Sequence, residues 1–232
     1  MEYKVRGTVM QVLDLKLNDG ESVYTEKGGM SWMSPNITMQ TNAKGGVLKG
    51  VGRLFSGESF FMTTYTSSGG PAELAFSSEF PGKILPMTLS EGKNIICQRD
   101  SFMVAEETVN LSVAFQKKLG AAIFGGEGFI LQKLSGTGTA FLEVAGELTE
   151  YDLKPGQTLK VDPGHIAFFE ESVKYNIGRI KGLKNMVFGG EGIFLADLEG
   201  PGKVWLQSMP LSKLAQKLSQ YMIKAKTSMF NR

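Results

Sequence analysis

The chain has 232 residues, and 42% of them are hydrophobic, which is enough for a sizeable core in one large or two ordinary domains. Its 25 basic and 23 acidic side chains leave a formal net charge of +2, which is too small to indicate binding to nucleic acid. The single cysteine, Cys97, excludes an internal disulfide and a zinc site with several cysteine ligands, and its place in the apolar run NIICQ predicts a buried, unreactive thiol.

The beginning of the chain, MEYKVRGTVMQVLDL, has neither the apolar core of a signal peptide nor an Arg- and Ser-rich transit pattern. No apolar run approaches the ~20 residues of a membrane-spanning helix. We therefore expect a cytoplasmic protein.

Three stretches of the chain, 17–37, 89–109 and 153–173, align without gaps. Each begins with leucine and has a glycine three positions later: Gly20, Gly92 and Gly156. The turns NDG, SEG and KPG place these glycines where a hairpin or a type II turn needs a positive φ. Internal agreement of this kind is typical of tandem repeats.

The side-chain pattern within each copy has a period of two, which indicates strands. Runs such as TAFLEV and QTLKV are rich in β-forming residues and are bounded by turn residues. We predict an all-β chain of three copies, at about 1–70, 71–136 and 137–200. A copy of ~65 residues buries little surface alone. We therefore expect the three β-sandwich repeats to pack around a pseudo-threefold axis as one compact domain, 1–232.

A glycine-rich phrase closes each predicted copy: FSGES from 55, FGGEG from 124 and FGGEG from 188. A phosphate-binding loop needs a Gly-Lys-Ser/Thr ending or a following helix, whereas FILQKL and IFLADL read as strands. We interpret the phrases as tight turns or bulges.

One glutamate recurs in each of these phrases: Glu58, Glu127 and Glu191. A pseudo-threefold would relate the three carboxylates, so they can converge on a cation through oxygen ligands. The alternative, which we favour, is that they accept hydrogen bonds from turn amides or are solvated. The pairs Glu106/Glu107 and Glu170/Glu171 are predicted surface turns, and Ser34 at the aligned position of the first copy argues against a shared chemical role.

The only histidine, His165, lies in LKVDPGHIAFF, where the order of glycines, proline and histidine resembles the second motif of cupins. Cupin metal sites take several histidines and a glutamate, and this chain has one histidine. We interpret His165 as a turn or half-buried residue. A cupin-like metal enzyme or sensor that uses His165 is the alternative.

The last part of the chain predicts a closing strand, KVWLQS at 203–208, and a helix at 210–226. The closing strand resembles the first strand of a further copy, so it can cover an edge left by copy one or by a neighbouring molecule. Pro210 suits a first helical turn. Leucines recur at helical spacing on one face, and the opposite face carries Lys213, Lys217 and Lys224. We favour packing on the chain's own sandwich or on a subunit, and a membrane or partner surface is the alternative.

Four segments resemble the altered-inheritance-of-mitochondria family: GGMSWMSPNITMQT (28–41), FSGESFFMTTYTSSGG (55–70), FGGEGFILQKLSGTGTAFLEVAGE (124–147) and WLQSMPLSKLA (205–215). The resemblance spans nearly the whole chain. It implies three related β-sandwich units, a variant of the double-stranded β-helix, with a fold similar to that of the tryptophan RNA-binding attenuation protein. It also implies a homotrimer and no established activity, and the absence of a fungal targeting extension points to a prokaryotic cytoplasmic member.

These observations lead to one functional prediction with two alternatives. We predict a non-enzymatic oligomeric scaffold or binding module without cofactor, metal or nucleic acid, because the repeat preserves turns and apolar positions rather than nucleophiles or ligands. The alternatives are the His165 metal protein and a peripheral membrane protein that binds through the basic C-terminal helix.

Overall fold

The computed structural model describes residues 1–26, 29–43, 61–117, 128–179 and 194–219. The contacts divide the chain into two compact units. The first unit contains Met1–Gly92, Asp100–Asn110 and Ser135–Val144, and the second contains Lys93–Arg99, Leu111–Leu134 and Ala145–Arg232.

Strands make up most of both units. The strands up to the middle of the chain are β1 (Glu2–Arg6), β2 (Val12–Leu17), β3 (Ser22–Glu26), β4 (Met30–Met33), β5 (Ile37–Ala43), β6 (Phe61–Ser67), β7 (Ala72–Ser77), β8 (Gly82–Leu89), β9 (Ile95–Gln98) and β10 (Phe102–Glu106). The later strands are β11 (Val109–Lys117), β12 (Phe129–Gly136), β13 (Gly138–Ala145), β14 (Leu148–Leu153), β15 (Thr158–Val161), β16 (Ile166–Glu170), β17 (Lys174–Arg179), β18 (Phe194–Glu199) and β19 (Gly202–Gln207). Short 3₁₀ turns at Arg99–Ser101 and Pro163–His165 precede β10 and β16, and residues 211–219 form a helix, α1.

Each unit contains one large and one small sheet. In the first unit, a four-stranded sheet has the order β1-β2-β7-β4 and a six-stranded sheet has the order β5-β6-β3-β10-β13-β8. In the second unit, the six-stranded order is β11-β12-β9-β16-β19-β14 and a three-stranded sheet has the order β15-β18-β17. The two large sheets have the same strand order, because each strand of the second sheet is numbered six higher than its counterpart in the first sheet.

The two sheets of each unit share an apolar core, as alternation along the strands dictates. In β2, Leu13, Leu15 and Leu17 are buried, whereas Asp14 and Lys16 point away from them. The first unit's core combines residues of both of its sheets, such as Leu74 with Phe141. The second does the same, for example with Phe169 and Leu198. Both units are therefore β-sandwiches.

The three turn glycines have the backbone conformation that their sequence predicts. φ is +79° at Gly20, +77° at Gly92 and +75° at Gly156. A Cβ atom at any of the three would meet nothing within 4 Å. Glycine is therefore required by the left-handed backbone and not by a lack of space.

A β-bulge and a hydrogen bond recur at aligned positions of the three stretches. The register shifts between Met30 and Trp32, between Phe102 and Val104, and between Ile166 and Phe168. A side-chain oxygen near the end of each stretch accepts the N–H of the second residue of β7, β13 or β19; the acceptor–donor pairs are Ser34–Glu73, Glu106–Thr139 and Glu170–Lys203. The carboxylates of Glu106 and Glu170 were predicted to lie in surface turns, and the structure shows that each also accepts a hydrogen bond from a neighbouring strand.

The predicted all-β class and C-terminal helix are confirmed. The closing strand is β19, and α1 accounts for 211–219 of the predicted helix, whose remainder lies outside the described residues. Cys97 is buried, as its apolar surroundings predict. The three-copy division, the pseudo-threefold and the likeness to the attenuation protein stay predictions. In the described part of the chain, no helix is long and apolar enough to span a membrane.

Candidate functional site

The predicted site residues fall into two groups. Glu58, Glu127, Glu191 and Lys224 lie outside the described residues. His165, Lys213 and Lys217 are described, and the structure brings the first two together while Lys217 stays exposed on α1.

His165 is held at the end of a short turn that its own sequence builds. Asp162 caps this turn, because its Oδ1 accepts the N–H of Gly164 at 3.1 Å. Pro163 occupies the first turn position, where no N–H is needed. The side chain of His165 is half-buried, so the predicted turn and half-buried placement are confirmed.

Both ring nitrogens of His165 are engaged. Nδ1 lies 2.8 Å from the carbonyl oxygen of Gln207, which can only accept, so Nδ1 carries the proton. Nε2 lies 3.1 Å from Nζ of Lys213 and accepts from that ammonium. Lys213 Nζ also lies 2.8 Å from Oδ2 of Asp162. The three side chains therefore satisfy one another and fasten the start of α1 to the turn.

The side chain of Gln207 is 7% exposed and holds the turn that carries His165 through buried hydrogen bonds. Its Oε1 accepts the N–H of Ala145 at 3.1 Å, and its Nε2 donates to Gln98 Oε1 at 3.1 Å and to the Gly164 carbonyl at 3.0 Å. No sequence motif points to Gln207, whereas the turn signal DPG marks Asp162.

An open cleft of about 450 Å³ lies on the outer face of the four-stranded sheet, and a second of about 350 Å³ lies beside His165. In the cleft beside His165, a cation at Nε2 would face the Lys213 ammonium, which opposes metal binding there. Among the described residues, no group of three or more His, Cys, Asp or Glu side chains can hold a metal ion.

The outer face of the four-stranded sheet carries a cation–π pair of Arg6 and Trp32 that the sequence reasoning missed. Trp32 is 50% exposed, and the Arg6 guanidinium lies 5.5 Å from the centroid of its ring. Arg6 Nε also donates to Asp14 Oδ2 at 2.6 Å, and this hydrogen bond raises the pKa of the guanidinium. The signal available in the sequence was a tryptophan in the short strand MSWM.

The strand that carries Trp32, β4, is an open sheet edge. Within the described residues, β4 pairs only with β7, and β15 pairs only with β18. The residues of β4 are exposed or half-buried, whereas four of the five residues in each of the aligned strands β10 and β16 are buried. Trp32 is 50% exposed, whereas the aligned Val104 and Phe168 are both 0% exposed, and the strands that carry them, β10 and β16, are paired on both sides.

Comparisons with known proteins agree over nearly the full length. A family model described as "Mitochondrial biogenesis AIM24" matches residues 3–209. An uncharacterized protein of Streptococcus pyogenes serotype M6 is 29% identical over 225 residues, which are 94% of this chain and 89% of that protein. The crystal structure of a Streptococcus pyogenes protein has a TM-score of 0.76 at 24% identity and covers 95% of this chain and 99% of that chain, so it shares the fold.

Proposed function

Because the chain belongs to the AIM24 family, as its sequence motifs predict, we propose that it is a non-enzymatic scaffold or binding module that works as a homo-oligomer. The observation that carries this proposal is the pair of open edges at β4 and β15. An unpaired strand presents a row of N–H and C=O groups that template pairing with another chain. An open edge of this kind favours association with another chain unless a partner already covers it.

The contacts beside His165 support a structural role for His165 and Lys213, which the sequence singles out, and for Asp162. His165, Lys213 and Asp162 satisfy one another, and their joint effect is to hold α1 against the Pro163–His165 turn. A general base needs a lone pair that faces a substrate. The lone pair on Nε2 instead faces an ammonium, so fastening of the helix is the role that this geometry favours.

Solution mass tests the proposal directly. Light scattering over a range of concentrations is expected to give a particle of several chains, with the predicted homotrimer at three times the 25.3 kDa chain. The expected site of action is the cytoplasm, without nucleic acid. A particle of one chain mass at all concentrations would refute the oligomeric scaffold.

A second candidate, peripheral membrane association, is favoured by the exposed apolar residues of α1. Leu214 is 37% exposed and Leu218 is 54% exposed, and Lys217 lies between them in sequence. Flotation with vesicles that contain anionic lipid is expected to weaken when Lys213, Lys217 and Lys224 are changed to Glu. Unchanged flotation rules this function out.

A further inference from the structure

We propose that β4 of one chain pairs antiparallel with β15 of a second copy of the same chain, with Met33 opposite Lys160, so that the four-stranded sheet of one chain and the three-stranded sheet of the other join into one sheet of seven strands. This inference rests on the proposed homo-oligomeric function and names its interface. The partner is identified by the way in which the chain builds its two large sheets.

Each large sheet joins two groups of three strands. In the first unit, β5-β6-β3 meets β10-β13-β8 through the β3–β10 pair. In the second unit, β11-β12-β9 meets β16-β19-β14 through the β9–β16 pair. The three-stranded sheet is one group of the first kind, β17-β18-β15. The four-stranded sheet is one group of the second kind, β4-β7-β2, with β1 added beyond β2.

The pairing that joins the two groups in each large sheet would also join β15 to β4. The strands β3, β9 and β15 each follow a turn glycine in the aligned stretches, and β4, β10 and β16 are the next strands along the chain. The pairs β3–β10 and β9–β16 each connect the earlier strand of one stretch to the later strand of the next. The chain supplies β15 and β4 without the corresponding partner in the described residues, so a second copy supplies it.

The register follows from the two observed pairs. Ala105 lies opposite Tyr24, and Phe169 lies opposite Ile96. In the aligned stretches, Ala105 and Phe169 correspond to Met33, whereas Tyr24 and Ile96 correspond to Lys160. The two pairs therefore give one answer, which places Met33 opposite Lys160.

The same register places Trp32 opposite Val161, as Phe168 lies opposite Cys97. Trp32 then gains a neighbouring strand, which its aligned counterparts already have.

The faces and the chemistry of the two edges are compatible with this register. Val161 and Leu159 point to the second unit's core, so Lys160 points to the other face, where its ammonium lies 2.6 Å from Asp197. The aliphatic stem of Lys160 can cover Met33 while its charge stays in water. Neither β4 nor β15 contains proline, so each strand can supply its full set of backbone donors.

The association that results is head-to-tail. Because β4 and β15 are different edges, two paired chains still have one open edge of each kind, and addition continues until a ring closes. A ring of three chains, as the homotrimer prediction requires, leaves no β4 or β15 edge open.

A cysteine cross-linking experiment on mixed chains tests the inference. One preparation carries Met33→Cys and a differently tagged one carries Lys160→Cys, with the buried Cys97 retained. Strand pairing brings the two thiols to an effective concentration on the order of millimolar. We expect a disulfide-linked product of two chains in the mixture, at least about tenfold more than in a mixture of Met33→Cys with Lys154→Cys, an exposed position in the turn before β15. A second mixture, Trp32→Cys with Val161→Cys, tests the same register.

The outcomes separate the interface from the function. Equal cross-linking in the test and control mixtures, by chains whose mass still shows assembly, overturns the β4–β15 pairing and leaves the oligomeric scaffold standing. A chain that carries both Met33→Cys and Lys160→Cys is a further sample. If the disulfide forms only in this chain and the product has the mass of one chain, the pairing between copies is also overturned. A particle of one chain mass refutes the proposed function itself.

Discussion

Replacement of Glu143 by Gln is expected to change how the free energy of unfolding depends on pH. Glu143 lies on β13 and is 5% exposed, and its Oε2 accepts the N–H of Glu79 at 3.3 Å. Burial raises the pKa of this carboxyl from 4.5 to about 8, against the opposing effect of that backbone hydrogen bond. The charges of Glu79 and Asp100 raise the pKa further.

The direction of the effect follows from proton binding. Between 4.5 and about 8 the folded chain holds a proton on Glu143 that the unfolded chain releases, so the free energy of unfolding falls as pH rises through this window. Below 4.5 the carboxyl is protonated in both the folded and the unfolded chain, so it no longer makes the free energy of unfolding depend on pH. At about 1.4 kcal/mol per pKa unit, the fall between about pH 5 and pH 8 is on the order of 3 kcal/mol.

Gln is neutral throughout, and its amide oxygen can still accept the Glu79 N–H. Urea unfolding of wild type and Glu143→Gln is therefore expected to show a stability difference that grows in favour of the variant by about 3 kcal/mol from about pH 5 to about pH 8. Glu150→Gln is the control, because a hydrogen bond from Lys203 lowers the pKa of Glu150 and that carboxyl is partly exposed. A constant difference between wild type and Glu143→Gln at the two pH values would refute the reasoning.

Three further substitutions test the start of β19 at Gly202, the buried side chain of Gln207 and the contact of Lys213 on α1. Gly202→Ala should cost several-fold more stability than Gly156→Ala in thermal unfolding, because both have positive φ but a Cβ at Gly202 would lie 2.5 Å from another side chain; equal losses would contradict this. Gln207→Ala should lower the free energy of unfolding by about 1–3 kcal/mol, since it leaves buried polar groups unpaired, and an unchanged midpoint in urea would contradict this role of Gln207. Lys213→Met should speed amide exchange in α1 whereas Lys217→Met, at an exposed position, should not, and similar rates would argue against the fastening role.

The part of the candidate site that the sequence predicts is limited to local features. The turn at His165 follows from Asp162, Pro163 and a neighbouring glycine, because caps and turns are set by a few adjacent residues. The contact of Lys213 with His165 could not be predicted, because those residues are 48 positions apart. The position of Trp32 at an open sheet edge could not be predicted either, because strand order is set by pairing between distant segments of the chain.

The sequence by itself determined the strands, the turn glycines and the family, because alternation and positive φ are properties of short segments. Only the tertiary structure decided that Gln207 would brace Gln98 and Gly164, that burial would raise the pKa of Glu143, and that β4 and β15 would end their sheets. Strand order joins residues far apart in the chain, and a strand's own side chains carry the same pattern whether its edge is covered or open.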